Sequence, residues 1–353
     1  MKSILTILYL FCAATLIAQN PYKGEKCIIK SEFIYRSADV KFPSCHASTI
    51  IQTSDGLLAA WFGGTAERNP DVGIWISRFT DGKWSGPEEA ANGIRNDKRY
   101  PCWNPVLFNA GDEILLFYKV GPSPSTWWGE LITSEDKGVS WYPSRKLPDG
   151  IIGPVKNKPV LLSTGMLLCP SSTENDGWRV HMEMTPDNGF TWERTPPLNE
   201  KNIGAIQPAI LLHPERKLQI LCRSRQSKIL TSWSEDNGKK WTSLTPLNVP
   251  NPNSGIDAVT LKDGRHLLVY NHLTSGRNIL NVAVSEDGNV WKAAVLLEND
   301  KKETEYSYPA IIQSSDNLIH ITYTWNRKLI KHVVLNPDLL EPKPFANSEW
   351  PSE

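Results

Sequence analysis

The chain has 353 residues, more than one average domain needs unless an internal repeat organises them. Lysine plus arginine and aspartate plus glutamate both number 38, so no basic field exists to hold nucleic acid. No helical periodicity is sustained beyond the N-terminus, and the 14 tryptophans are a high count.

Residues 1–18 carry one lysine, an apolar core and small residues towards Ala18. That pattern reads as a secretory signal peptide, too short for a comfortable membrane span, so a secreted or periplasmic protein is expected. Cleavage near Ala18 leaves Cys27, Cys45, Cys102, Cys169 and Cys222. An odd count at irregular spacing resembles neither a zinc site nor a dense disulfide framework, so buried thiols on strands are expected, with one disulfide left open. No metal-ligand spacing appears, and no cofactor is expected.

Next comes Cys27–Tyr35, a β-type run expected to close a ring by pairing with the end of the chain. Six strand–turn–strand units follow, beginning at Ser48–Ala60, Pro105, Pro159, Pro208, Ala258 and Pro309. Between them lie near-copies of one turn: Ser134–Trp141, Thr185–Trp192, Ser234–Trp241, the shorter Ser285–Trp291 and a degenerate Thr80–Trp84. Asp and Ser in such a turn bond their own backbone, Gly supplies a positive φ, and Trp packs between units. The spacing of roughly 50 residues marks a structural array. The sixth unit has Lys331–Asp338 in place of the turn. The expected fold is an all-β, six-bladed propeller over residues 27–345.

In a propeller the innermost strand of each blade starts at a central funnel. The residues before the six inner runs are His46 (with Ala47), Asn104, Lys158, Gln207, Asp257 and Tyr308. Convergent polar groups in a concavity point to a binding or active site. The loops after the second strands add Arg223, Arg225, Asn271, His272, Arg277 and Arg327, and a first-blade loop adds Glu67, Arg68 and Asp71. Guanidinium groups match carboxylates bidentately, so a sialic or uronic acid is the expected ligand.

The repeated Ser/Thr-x-Asp-x-Gly-x-x-Trp turn resembles the Asp-box of the sialidase superfamily, and the resemblance runs from about residue 30 to 340. It implies a retaining glycosidase with an arginine triad, a tyrosine nucleophile assisted by a glutamate, and an aspartate acid/base. Tyr308 matches the nucleophile, with Tyr306 a near alternative. Asp71 falls on the acid/base loop, with Glu67 as rival, and Arg277 matches the third arginine. His46 stands where the first arginine is expected, and Gln207 where the glutamate is. The second arginine has no match; Lys228 is nearest, with Arg223 and Arg225 upstream.

Three functions are consistent with these residues. An exo-acting glycosidase on an acidic glycan would use Tyr308 and Asp71, with Asp257 partnering Tyr308 and with Arg277, Arg223 and Lys158 on the carboxylate. A uronate lyase would use His46 or His272 with Tyr308 beside Arg225 and Lys158. A glycan-binding propeller without turnover is the third, because Gln207 cannot take a proton as a carboxylate does.

Overall fold

The computed structural model describes residues 25–346 and 348–351, so the leader expected over 1–18 lies outside the described residues. Blade one is Ser44–Thr53, Gly56–Gly64 and Gly73–Thr80, with Lys83–Trp84 and Glu88–Ala91 outside. Blade two is Cys102–Asn109, Ile114–Val120, Trp128–Ser134 and Arg145–Lys146; blade three is Val160–Leu161, Leu167–Thr173, Arg179–Thr185 and Glu193–Arg194. Blade four is Ala205–Leu212, Leu218–Ser224, Lys228–Ser234 and Thr245–Pro250. Blade five is Asp257–Thr260, His266–Tyr270, Ile279–Ser285 and Trp291–Asn299, to which Lys343–Pro344 adds an outer strand. Blade six takes Tyr306–Gln313, Ile319–Trp325 and Leu329–Leu335 from the end of the chain. Its fourth strand is Ile28–Phe33, antiparallel to Leu329–Leu335, so the N-terminal strand closes the ring.

Each blade is covered on both faces by its neighbours, which is why the middle strands read as unbroken apolar runs rather than alternating ones. Leu57–Phe62 and Leu115–Tyr118 are buried throughout. Clusters span neighbouring blades: Val106, Phe117 and Leu131 of blade two pack with Leu167 and Cys169 of blade three. The five described cysteines are buried and free.

The repeated turns have one geometry. Asp187 Oδ1 accepts from the backbone N–H of Phe190 (3.0 Å) and Thr191 (2.8 Å) and from the Thr185 hydroxyl (2.9 Å). Thr185 Oγ1 in turn accepts from Gly189 N at 2.8 Å, and Trp192 Nε1 donates to Gly189 O at 3.0 Å. The Asp136 and Asp236 turns repeat the carboxylate contacts. The glycine is required twice over. Gly238 has φ 81°, and a Cβ there would lie 2.9 Å from Leu168 of the preceding blade. The turn therefore serves packing between blades.

Candidate functional site

Four inner strands begin with a β-bulge. Pairing skips two residues after His46, after Ile206 and after Ser307, and the same break occurs next to Trp103. The first skipped residue has a positive φ in each case: Ala47 (57°), Asn104 (29°), Gln207 (56°) and Tyr308 (52°). Bulges re-aim a side chain and concentrate next to active sites, and a positive φ on a tyrosine carries strain that the surrounding structure must hold. Two bulges are pinned from the preceding blade: Ala47 N donates to Thr324 Oγ1 and Gln207 N to Ser172 Oγ, both at 3.1 Å. The structural equivalent of Gln207 and Tyr308 is thus Ala47, and His46 is its neighbour.

Arg223 stands at the end of Leu218–Ser224, 5% exposed, and joins three segments. Its Nη1 donates to Tyr308 Oη (2.9 Å) and Gln207 Oε1 (3.2 Å). Its Nη2 and Nε donate to Asn253, at 2.5 Å to the backbone oxygen and 3.1 Å to Oδ1. Gln207 Nε2 makes a longer donation to Tyr308 Oη at 3.4 Å. Two donors therefore point at the phenol oxygen, and neither can take its proton. Arg223 makes no ion pair within 4 Å among the described residues. Burial first, partly offset by Tyr308, lowers the Arg223 pKa from its ordinary value.

Two further arginines flank Tyr308. The Arg277 guanidinium lies 6.0 Å from the Tyr308 ring centre and pairs with Glu305 at 3.1 Å. Arg327 pairs with the other Glu305 oxygen at 3.0 Å and with Glu67 of the first-blade loop. Burial opposes ionisation of Glu305, but the Ser307 hydroxyl, Arg327 and Arg277 outweigh it and hold the carboxyl below its ordinary value. The His46 ring lies against Tyr308 with ring centres 4.1 Å apart and planes inclined at 47°, and its Nδ1 meets Thr324 Oγ1 at 3.0 Å. Its Nε2 is buried without a partner. Burial, then Arg327, Arg277, Arg223 and Lys156, push the imidazole well below 6.5, so it is neutral at physiological pH.

The structure thus brings Tyr308, Gln207, Arg223, His46, Arg277 and Arg327 into one cluster. Lys228, the nearest sequence match for the second arginine, is exposed; Arg223 is the guanidinium that meets Tyr308. Tyr306 is turned away and donates to Asp300 at 3.1 Å. Lys158 and Asp257 pair with each other at 2.9 Å, and Asp257 also accepts from Ile311 N at 2.9 Å, tying blades three, five and six. Asp257 therefore does not partner Tyr308. Asn104 is buried at its bulge. Both Asp71 oxygens accept from Thr65, at 2.8 and 2.9 Å. His272 is not in the cluster: its Nε2 meets Ser348 O at 2.8 Å and its ring packs on Phe345 and Trp350.

Glu174, Trp178, Asn253 and Glu305 were not singled out from sequence. Arg225 stacks on the Trp178 ring at 4.1 Å, and Arg223 lies 5.3 Å from the same ring. Glu174 lies beside Trp178 within electrostatic reach of Arg223, Arg225 and the exposed Arg68. Burial outweighs those cations and raises its carboxyl above the ordinary value. The signal for Glu174 was its place after the second strand of blade three, the position that yields Arg223 and Arg225 in blade four.

Residues 55–321 match the family described as BNR repeat-like domain. No curated protein matches the chain. Among solved structures, the chain is similar to a protein of unknown function from Dyadobacter fermentans (TM-score 0.71, 16% identity, covering 88% of this chain and 98% of that one). It is similar also to the intramolecular trans-sialidase from Ruminococcus gnavus (TM-score 0.72, 14% identity, 91% and 100%). The NanB sialidase from Streptococcus pneumoniae gives TM-score 0.72 at 14% identity, covering 88% of this chain and 71% of that one. At such identities the shared property is the fold. With its propeller, its repeated turns and a family match over most of its length, the chain belongs to the BNR repeat-like domain family.

Proposed function

We propose that the protein is an exo-acting glycoside hydrolase that removes a carboxylated sugar from the end of a glycan. The observation that carries this reading is Arg223, a guanidinium 5% exposed with no carboxylate paired to it among the described residues. A buried cation without a counterion favours an anionic ligand. Arg277, 6.0 Å from the Tyr308 ring, and Arg327 are each tied to Glu305.

Tyr308 is the nucleophile in this reading: its Oη attacks the anomeric carbon as its proton passes to solvent water, and it takes a proton back from water when it is released. Negative charge on its Oη meets the Arg223 Nη1 hydrogen at a donor–acceptor distance of 2.9 Å. Electrostatic support of that kind lowers the cost of the charge that develops on Oη where Gln207 offers no base. An anomeric carbon bearing a carboxylate suits an attacker whose charge is held by the protein. The leader over 1–18 supports delivery outside the cytoplasm, and sequencing the N-terminus of the exported protein tests it.

The activity test uses the 4-nitrophenyl glycosides of N-acetylneuraminic acid and glucuronic acid. Hydrolysis of either, with release of the free sugar acid, supports the reading. Saturable binding of the free acids with no turnover refutes it in favour of a glycan-binding propeller. One observation favours a second reading, a uronate lyase: the unpartnered Nε2 of neutral His46 against Tyr308 suits a base for a C5 proton. Ultraviolet absorbance from an unsaturated uronate, formed from a uronate-containing polysaccharide, would select it.

A further inference from the structure

We propose that Lys156 and Asn157 are positioning residues for Tyr308: together they hold the backbone oxygens of the two bulges that aim Tyr308 and Gln207. The proposal rests on the glycosidase reading, in which the place of Tyr308 Oη sets the rate. Both residues act through the backbone rather than at the reacting oxygen.

A bulge leaves its extra residue unpaired and disrupts the ladder locally, so carbonyl oxygens there turn to other donors. In blade six the pairing passes from Ser307 to Ala310, and in blade four from Ile206 to Ala209. The skipped residues are Tyr308 and Pro309 in one and Gln207 and Pro208 in the other. Tyr308 and Gln207 sit at φ 52° and 56°, values that a residue with a side chain keeps only when its surroundings hold it.

The donors come from blade three. Lys156 and Asn157 precede its short inner strand, Val160–Leu161, and are 3% and 1% exposed. Asn157 Nδ2 donates to Gln207 O at 3.0 Å and to Pro208 O at 3.1 Å, the two skipped residues of blade four. Lys156 Nζ donates to Pro309 O of blade six. It donates also to Asn157 Oδ1 and to Ile256 O, just before the inner strand of blade five, both at 2.8 Å. An ammonium only donates, so the oxygen of the Asn157 amide faces Lys156 and its nitrogen faces the two carbonyls. Three oxygens surround Nζ and match the three hydrogens of an ammonium, and both amide hydrogens are in use. A buried polar network satisfied in this way is rigid and specifies one arrangement. It fixes the backbone from which Tyr308 Oη reaches Arg223 Nη1 (2.9 Å) and Gln207 Nε2 (3.4 Å).

The experiment compares native protein, Lys156→Met, Asn157→Asp and Lys331→Met on whichever 4-nitrophenyl glycoside the native protein hydrolyses. Binding of the free sugar acid and the denaturation midpoint are measured beside kcat. Burial, opposed by Asp257 and reinforced by Lys158 and Arg223, pushes the Lys156 pKa down to about 7, so the measurements are made near pH 6, where the ammonium keeps its hydrogens. Lys331 is the control: it is 8% exposed and pairs with Glu298 of the neighbouring blade. Its variant should lose stability and keep the native kcat. Lys156→Met keeps the length of the side chain and loses all three donations. Its kcat should fall about 10²-fold, the cost of displacing a reacting group by about 1 Å, while affinity for the free acid is retained. Asn157→Asp keeps the oxygen that faces Lys156 and loses the two donations to blade four. Its kcat should fall less, again with binding retained. A native kcat in either folded variant overturns the role of that residue. Binding lost in step with turnover, or a kcat no lower than that of Lys331→Met, overturns it too. If neither variant folds, the pair serves folding alone and the role is overturned. In each of these results the native protein still cleaves its glycoside and the glycosidase reading stands. A native protein that cleaves neither 4-nitrophenyl glycoside would overturn both.

Discussion

Arg223 Nη1 donates a hydrogen bond of 2.9 Å to Tyr308 Oη, joining residues 85 positions apart on blades four and six. The contact needs the bulge that turns Tyr308 to the funnel and the Asn253 grip that holds the guanidinium. Arg223→Lys keeps the charge and loses the fork. It should lower kcat about 10²–10³-fold on the hydrolysed glycoside, the cost of removing one preorganised donor to a developing anion. Steady-state kinetics at matched pH checks this; an unchanged kcat would separate Arg223 from the chemistry.

Asp257 was expected beside Tyr308, and the structure gives it to Lys158 and the Ile311 amide instead. Asp257→Ala leaves Lys158 without its counterion and Ile311 N without its acceptor. Breaking such a pair should cost about 3–5 kcal/mol of stability, seen as a lower denaturation midpoint at unchanged slope. A stable variant with lost activity would instead return Asp257 to the reaction.

The blades were legible because the Asp-box is local chemistry: one carboxylate, one hydroxyl and one glycine within eight residues fix the turn wherever it occurs. Tyr308 and Gln207 were legible because the bulge recurs at a constant place in the inner strands. The rest depends on contacts distant in sequence. Nothing local to Cys222–Gln226 says that Asn253 will hold Arg223 rather than leave the role to Lys228. Tyr270–His272 reads like a funnel loop until Phe345 and Trp350 pack against it.

Buried histidines set the acid stability. Burial, then a neighbouring histidine, pushes His266 and His320 down to about 4, and His46 is well below 6.5. The unfolded chain takes up these protons near 6.5, while the folded chain resists them. Folding stability should therefore be flat in this respect above pH 6.5 and fall as pH drops from 6.5 towards 4. The slope is at most about 1.4 kcal/mol per pH unit for each histidine. Thermal melts across pH 7.5 to 4.5 should show the decline, and His320→Gln should make it shallower. A melting temperature that rises on acidification would contradict the assignment.

Tyr308 is the residue on which the glycosidase reading turns, since Gln207, Arg223 and His46 all converge on it. Tyr308→Phe removes one oxygen and keeps the ring against His46. The most direct measurement is its kcat on the acidic glycoside that the native protein hydrolyses. A fall of at least about a thousandfold, with binding of the free sugar acid retained, is the expected result. Full turnover by Tyr308→Phe would contradict a tyrosine nucleophile at this funnel.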